Sequence, residues 1–143
     1  MADLYSVELA GYASLPQIKA AVPVMGGRLR RYRATINLAS QPTADNILLA
    51  VVPAGSAFVT GIINASVTLG SSVVAIGTNK THASNGQLRA AAVFTAAAPT
   101  LFGLSSAQDD NELAGDTPIY LTLATAALPA SGVLVIDLIY AGA

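Results

Sequence analysis

The chain has 143 residues and no cysteine, which suits one domain that buries a core without disulfide bonds. Only 10% of the residues are charged and 53% are hydrophobic, with a formal net charge of −1, whereas a typical soluble domain has about 25% charged residues. So few charges favour burial in an assembly, and they argue against a nucleic-acid-binding domain, which needs excess positive charge.

The first 27 residues show no helical periodicity. Pro16, Pro23 and the pair Gly26-Gly27 interrupt regular structure there. We therefore expect an extended N-terminal arm over residues 1–27, followed by one domain over residues 28–143. The opening MADLYSVEL has no basic region ahead of an apolar run, so no signal peptide is expected.

The domain opens with four of the chain's seven basic residues inside six positions. From here the apolar residues recur at every second position, which predicts a β-strand with one apolar and one polar face. The apolar face carries Tyr32, Ala34, Ile36 and Leu38, and the polar face carries Arg31, Arg33, Thr35 and Asn37.

Further short strands follow, bounded by turns such as Pro53-Ala54-Gly55. Val, Ile, Thr and Tyr dominate them, and these residues suit pleated surfaces. The predicted strands are Asn46–Val52, Ala57–Leu69, Val73–Ile76, Leu88–Thr95, Leu101–Leu104, Ile119–Ala124 and Val133–Tyr140. The pattern predicts an all-β, single-domain jelly roll or β-sandwich of about eight antiparallel strands. Ala90–Ala98 also suits a helix on propensity alone, and that alternative stays open.

A membrane partner is not expected. Residues 46–79 carry no charge, but Pro53 and several glycines interrupt them, and polar residues alternate with apolar ones. A membrane-spanning helix needs about 20 continuous apolar residues.

The residues offer little chemistry for catalysis. His82 is the only histidine and lies in a turn-rich segment, residues 79–86, where we expect an exposed loop side chain. Without a nucleophile, base and orienting group, the chain is predicted not to be an enzyme and to hold no cofactor. Asp109, Asp110, Glu112 and Asp116 are closely spaced but do not follow the EF-hand order, so they predict a solvated loop.

The arginine cluster has three interpretations. Only Tyr32 offers an aromatic ring among the arginines, which disfavours nucleic acid. Pairing with carboxylates on a partner, or on a neighbouring copy through residues 109–116, is favoured, because Arg suits interfaces. A solvated strand edge that prevents aggregation is the remaining alternative. The candidate interface residues are Arg28, Arg30, Arg31, Tyr32, Arg33, Asp109, Asp110 and Glu112.

Three segments carry a resemblance: Ile47–Gly55, Ser66–Thr78 and Val135–Tyr140. Their order of strands and turns resembles the jelly-roll head decoration, or cement, proteins of tailed bacteriophages, over roughly residues 28–141. The resemblance implies a virion protein, made in the host cytoplasm, that binds the outside of the capsid as a dimer or trimer. There it would clamp neighbouring major capsid subunits, with the arm lying along the capsid or reaching another copy.

Two other functions are alternatives to capsid decoration. The first is a head-fibre or tail-associated jelly roll that binds a receptor or carbohydrate. The second is a jelly-roll sugar or small-molecule isomerase with a cupin-type metal centre. One histidine and no cysteine disfavour it, because a cupin-type metal centre commonly needs several His ligands.

Overall fold

The structure, a computed structural model, describes residues 28–107 and 112–142. The predicted arm, Asp109 and Asp110 lie outside these residues. The described part contains eight strands and a single 3₁₀ turn, Ser105–Ala107. The strands are β1 Arg28–Asn37, β2 Asn46–Val52, β3 Ala57–Ala65, β4 Val73–Gly77, β5 Arg89–Val93, β6 Thr100–Phe102, β7 Thr117–Ala124 and β8 Val133–Gly142.

The strands form two antiparallel four-stranded sheets. Sheet A has the order β1-β8-β3-β6, and sheet B has the order β2-β7-β4-β5. The strands pair successively outward from the β4–β5 connection: β4 pairs with β5, β3 with β6, β2 with β7 and β1 with β8. A long hairpin rolled so that successive pairs fall in alternate sheets is a jelly roll. The predicted all-β sandwich of eight antiparallel strands is therefore confirmed.

The core lies between the inward faces of the two sheets. Sheet A contributes Ile136 and Leu138 of β8, and sheet B contributes Ile119 and Leu121 of β7, all with no exposed surface. These residues alternate with outward-facing neighbours because successive strand residues point to opposite faces. In the first strand, the apolar face read from the sequence faces the core, with Ile36 and Leu38 buried.

One predicted strand ends earlier than its pattern indicates, and the structure decides in favour of the predicted strand for the alanine-rich segment. The strand predicted over Ala57–Leu69 ends at Ala65, although Leu69 stays buried and its N–H donates to the Phe94 carbonyl. The alanine-rich segment is a strand and not a helix over Arg89–Val93, where it pairs with β4. The ladder with β4 pairs the backbone groups on one side of this edge strand, so tertiary context overrides the helix propensity of alanine.

β6 packs closely on β3 because Gly61 has no side chain. The Phe102 ring lies directly against the inward side of this glycine, where an added Cβ would come closer than 3.0 Å to three ring carbons. The close approach explains a glycine inside a strand of sheet A.

Candidate interface on the arginine strand and the outer face of its sheet

The arginines lie on β1, which is an edge strand of sheet A. Arg28, Arg30, Arg31 and Arg33 are all exposed. Tyr32 points to the face opposite Arg31 and Arg33: it is half-buried and packs edge-on against Tyr140, with ring centroids 6.1 Å apart. Arg31 and Arg33 therefore point outward from sheet A, Arg28 and Arg30 lie on the Tyr32 face at the exposed end of the strand, and Tyr32 anchors the strand to the core.

Arg33 has a partner in its own chain. Its Nε and one terminal nitrogen donate to the two carboxylate oxygens of Asp137 on β8, at 2.8 and 2.9 Å. The two residues are opposite each other in the β1–β8 ladder. Only 10% of the Asp137 side chain is exposed, against 50% for Arg33. Arg33 and Asp137 therefore form a bidentate ion pair on the outer face of sheet A.

This ion pair determines how Asp137 titrates. The hydrogen bonds from Arg33 lower the pKa of Asp137 below its ordinary value, burial opposes that change, and the charges of Arg33 and Arg31 add to the lowering. Asp137 is therefore charged at neutral pH although it is nearly buried.

Arg28, Arg30 and Arg31 form no ion pair with any described residue. Arg30 borders a shallow depression with Gly55 and Ser56 at one end of the sandwich. Their charges stay available to a partner, and they also oppose edge-to-edge pairing of β1 with another β1.

The predicted acidic loop reaches this same end of the molecule. Leu113 exchanges backbone hydrogen bonds with Gly55 and Ser56, which border Arg30. Its neighbour Glu112 is exposed. Both predicted groups of charges thus lie at one end of the sandwich, although Asp109 and Asp110 themselves are outside the described residues.

The outer face of sheet A was missed by the sequence reasoning. It runs across the four strands through the row Arg33, Asp137, Ile62 and Leu101. The outward residues of β8 next to Asp137 are Val135 and Ile139, both half-buried. The signal was present in β8, VLVIDLIYAG, because a strand apolar on both faces is normally covered on both faces.

Part of the outer face of sheet B is covered by the chain itself. Asn85, in the loop between β4 and β5, donates to the carbonyls of Ala75 and Tyr120 and to the hydroxyl of Thr122. Thr122 and Ala75 point outward, yet they are only 2% and 3% exposed. This loop therefore covers the part of the outer face around Thr122, whereas Leu48 and Val51 of β2 stay exposed.

His82 belongs to the same loop. It is half-buried, where an exposed side chain was expected, and its Nδ1 donates to the Leu123 carbonyl at 2.9 Å. The contact gives it a structural role on sheet B.

Sites for chemistry are sparse in the part of the chain that the structure describes. No three His, Asp or Glu side chains of residues 28–107 and 112–142 gather as metal ligands. A cavity of 480 Å³ opens at the end of the sandwich between Phe58, Leu88 and Tyr140, with Glu112 at its wall. Over the same residues, no helix is long and apolar enough to span a membrane.

Residues 28–107 and 112–142 form an eight-stranded jelly roll, and known structures share this fold. A chain in the capsid of Ralstonia phage GP4 matches with a TM-score of 0.64 and 21% identity, covering 82% of this chain and 86% of that one. A chain in the cyanophage Pam1 capsid asymmetric unit matches with a TM-score of 0.64 and 14% identity, covering 83% and 88%. A chain in the acidic stable capsid structure of Helicobacter pylori bacteriophage KHP30 matches with a TM-score of 0.58 and 11% identity, covering 79% and 86%.

At these identities the likeness establishes the shared fold. No protein-family model matches the chain, and no curated protein matches it.

Proposed function

We propose that the chain is a structural protein of a phage virion. In this proposal it attaches to the outer surface of the capsid and stabilises contacts between major capsid subunits, as a dimer or trimer. The observation that carries the proposal is the shared fold with chains of three phage capsids, over 79–83% of this chain and 86–88% of those chains. A fold can host many functions, so attachment must be tested directly.

The physical mechanism is burial and charge pairing without turnover. A symmetric shell presents the same site many times, and linked copies bind with a raised effective concentration. Contacts that are individually weak can then hold neighbouring subunits together. A chain with only 10% charged residues suits a protein whose surface is largely covered in its assembly.

The charged end of the sandwich is the proposed contact. Arg28, Arg30 and Arg31 are exposed and form no ion pair with the described residues. Carboxylates on a capsid subunit, or on the acidic loop of a neighbouring copy, would complement them. Arg33 and Tyr32 support the strand from within the chain, through Asp137 and Tyr140.

The test is co-sedimentation of the purified chain with emptied phage heads. The heads come from a phage that encodes the chain but are prepared so that they lack it. We expect saturable binding at a fixed ratio of chain to capsid subunit. Arg31→Gln should weaken binding severalfold, since it removes one outward charge of the proposed contact. Lys80→Gln is the matched control, because it removes one exposed positive charge from the loop over sheet B.

The outcomes separate the parts of the proposal. Heads that bind none of the chain, together with virions that lack it, contradict a virion role and favour the receptor-binding alternative. Equal weakening by Arg31→Gln and Lys80→Gln would remove the arginine strand as the contact. Full binding by a chain lacking residues 2–25 would remove the arm from the attachment.

A further inference from the structure

Arg89 begins β5, the last strand of sheet B, and its guanidinium is held by backbone carbonyls. One terminal nitrogen donates to the carbonyls of Val74 and Ala92, at 2.6 and 3.1 Å, and the other donates to the Val93 carbonyl at 3.1 Å. The register of the β4–β5 ladder shifts at this point, between Val74 and Ile76. These hydrogen bonds fix the side chain in one position at the edge of the sheet.

The positive charge of Arg89 has no counter-ion among the described residues, whose single ion pair joins Arg33 to Asp137. Arg89 is half-buried, and burial lowers the pKa of its guanidinium, an effect that a neighbouring carboxylate would oppose. The carbonyl oxygens accept its hydrogen bonds but carry only partial negative charge, so the desolvated charge is incompletely compensated. A carboxylate from a partner would therefore stabilise this side chain.

The uncommitted donors of Arg89 match a pairing that the chain already contains. Arg33 holds Asp137 with its Nε and one terminal nitrogen. In Arg89 the Nε–H has no acceptor among the described residues, because all three hydrogen bonds come from the terminal nitrogens. A guanidinium has five N–H donors in a rigid planar fork, so donors remain for a carboxylate. The position of the fork is set in advance, which lowers the entropy cost of binding.

The surface beside Arg89 is apolar and carries no other charge. β5 and β6 are the last strands of sheets B and A on the same side of the sandwich. Val93 is 50% exposed, Leu101 is 71% exposed, and residues 90–104 contain no charged side chain. Edge strands of soluble proteins commonly carry charges that prevent association, as β1 does with its arginines. An apolar surface around one arginine is instead typical of the centre of a protein-binding site.

We infer that β5, β6 and the residues 94–99 between them, here called the β5–β6 edge, form a second capsid contact. The edge binds a segment of a major capsid subunit that places one carboxylate on Arg89 and apolar side chains on Val93 and Leu101. This inference rests on the proposed function. The arginine strand β1 lies on the other side of the sandwich, so one chain could contact two neighbouring subunits, and each contact would raise the effective concentration of the other.

The variant Ala92→Asp tests the inference in co-sedimentation with the emptied heads described above. The carbonyl of residue 92 already accepts a hydrogen bond from Arg89, so an aspartate there supplies a competing carboxylate and repels the acid of the partner. We expect binding to heads to fall at least tenfold. Ala83→Asp, the same change at an exposed alanine of the loop over sheet B, is the matched control and should alter binding less than twofold. Circular dichroism and thermal unfolding verify that both variants are folded.

A second measurement reports on the edge without a change of charge. The chain has no cysteine, so Val93→Cys places a single thiol on the β5–β6 edge, and Ala83→Cys places one on the loop over sheet B. When the chain is bound to heads, the thiol of Val93→Cys should react with an alkylating reagent at least tenfold more slowly than in the free chain. The thiol of Ala83→Cys should react at the same rate in both states.

The outcomes distinguish this inference from the proposed function. The inference is overturned, and capsid attachment stands, where heads bind the chain but Val93→Cys keeps its free rate, or where Ala92→Asp and Ala83→Asp weaken binding equally. Protection of Val93→Cys that rises with chain concentration in the absence of heads assigns the edge to another copy and also overturns the inference. Heads that bind none of the chain contradict the proposed function and this inference together.

Discussion

Replacing Asp137 by asparagine measures what the ion pair with Arg33 contributes to the stability of sheet A. The carboxylate accepts two hydrogen bonds, at 2.8 and 2.9 Å, and is nearly buried. A hydrogen bond to a charged group contributes about 1.5–3 kcal/mol. Half of the Arg33 side chain remains in solvent, which screens the pair, so we expect Asp137→Asn to lower the free energy of unfolding by about 1–2 kcal/mol.

The two partners should respond unequally to substitution. Arg33→Ala leaves a desolvated carboxylate without its counter-ion, whereas Asp137→Asn leaves a guanidinium that can turn toward water. Arg33→Ala is therefore expected to destabilise the chain more than Asp137→Asn. Arg31→Ala is the matched control, since Arg31 lies on the same outward face of β1 without an ion pair to a described residue.

The pair also predicts a pH dependence of stability. Arg33 holds the pKa of Asp137 below its ordinary value of 3.8, so near that pH the folded state binds fewer protons than the unfolded state. The contribution of the pair is present above the unfolded pKa and is lost as pH falls through the lower folded pKa. Asp137→Asn should remove this part of the acid destabilisation.

Urea unfolding followed by circular dichroism, at protein concentrations where the monomer dominates, measures both effects from neutral pH to about pH 2. Two results would refute the reasoning. One is an Asp137→Asn variant as stable as wild type at neutral pH. The other is an unchanged acid slope in that variant.

Three further changes test the packing. Gly61→Ala should lower the free energy of unfolding by about 1–3 kcal/mol, because the new methyl group meets the Phe102 ring. In urea unfolding, the double variant Gly61→Ala with Phe102→Leu should recover part of that loss. A double variant without any recovery would contradict the contact. Asn85→Ala should cost about 1–3 kcal/mol, because it leaves carbonyls under the sheet B loop without their donor; unchanged hydrogen exchange of the loop would contradict this role. Burial and the neighbouring Tyr32 raise the pKa of Tyr140 to about 12, so ultraviolet titration of Tyr140→Phe should lose the ionisation step near that pH; an unchanged step would contradict the burial of this ring.

Part of the candidate site was predictable from local sequence. Alternation placed Arg31 and Arg33 on the polar face of the first strand, and the structure has them there. The partner of Arg33 was not found, because Asp137 is 104 positions away. A lone acid inside the apolar run of β8 was the available signal, since such an acid is rarely buried without a partner.

The sequence by itself determined that the chain is built from short strands, and mostly which residues point inward. That information is local, because a period of two assigns each side chain to one of two faces whatever strand lies alongside. Only the tertiary structure decided that β1 is an edge strand beside β8, that Arg33 pairs with Asp137, and that the loop carrying Asn85 covers part of sheet B. Strand pairing depends on hydrogen bonds between distant segments, and several antiparallel orders would bury the same apolar residues equally well.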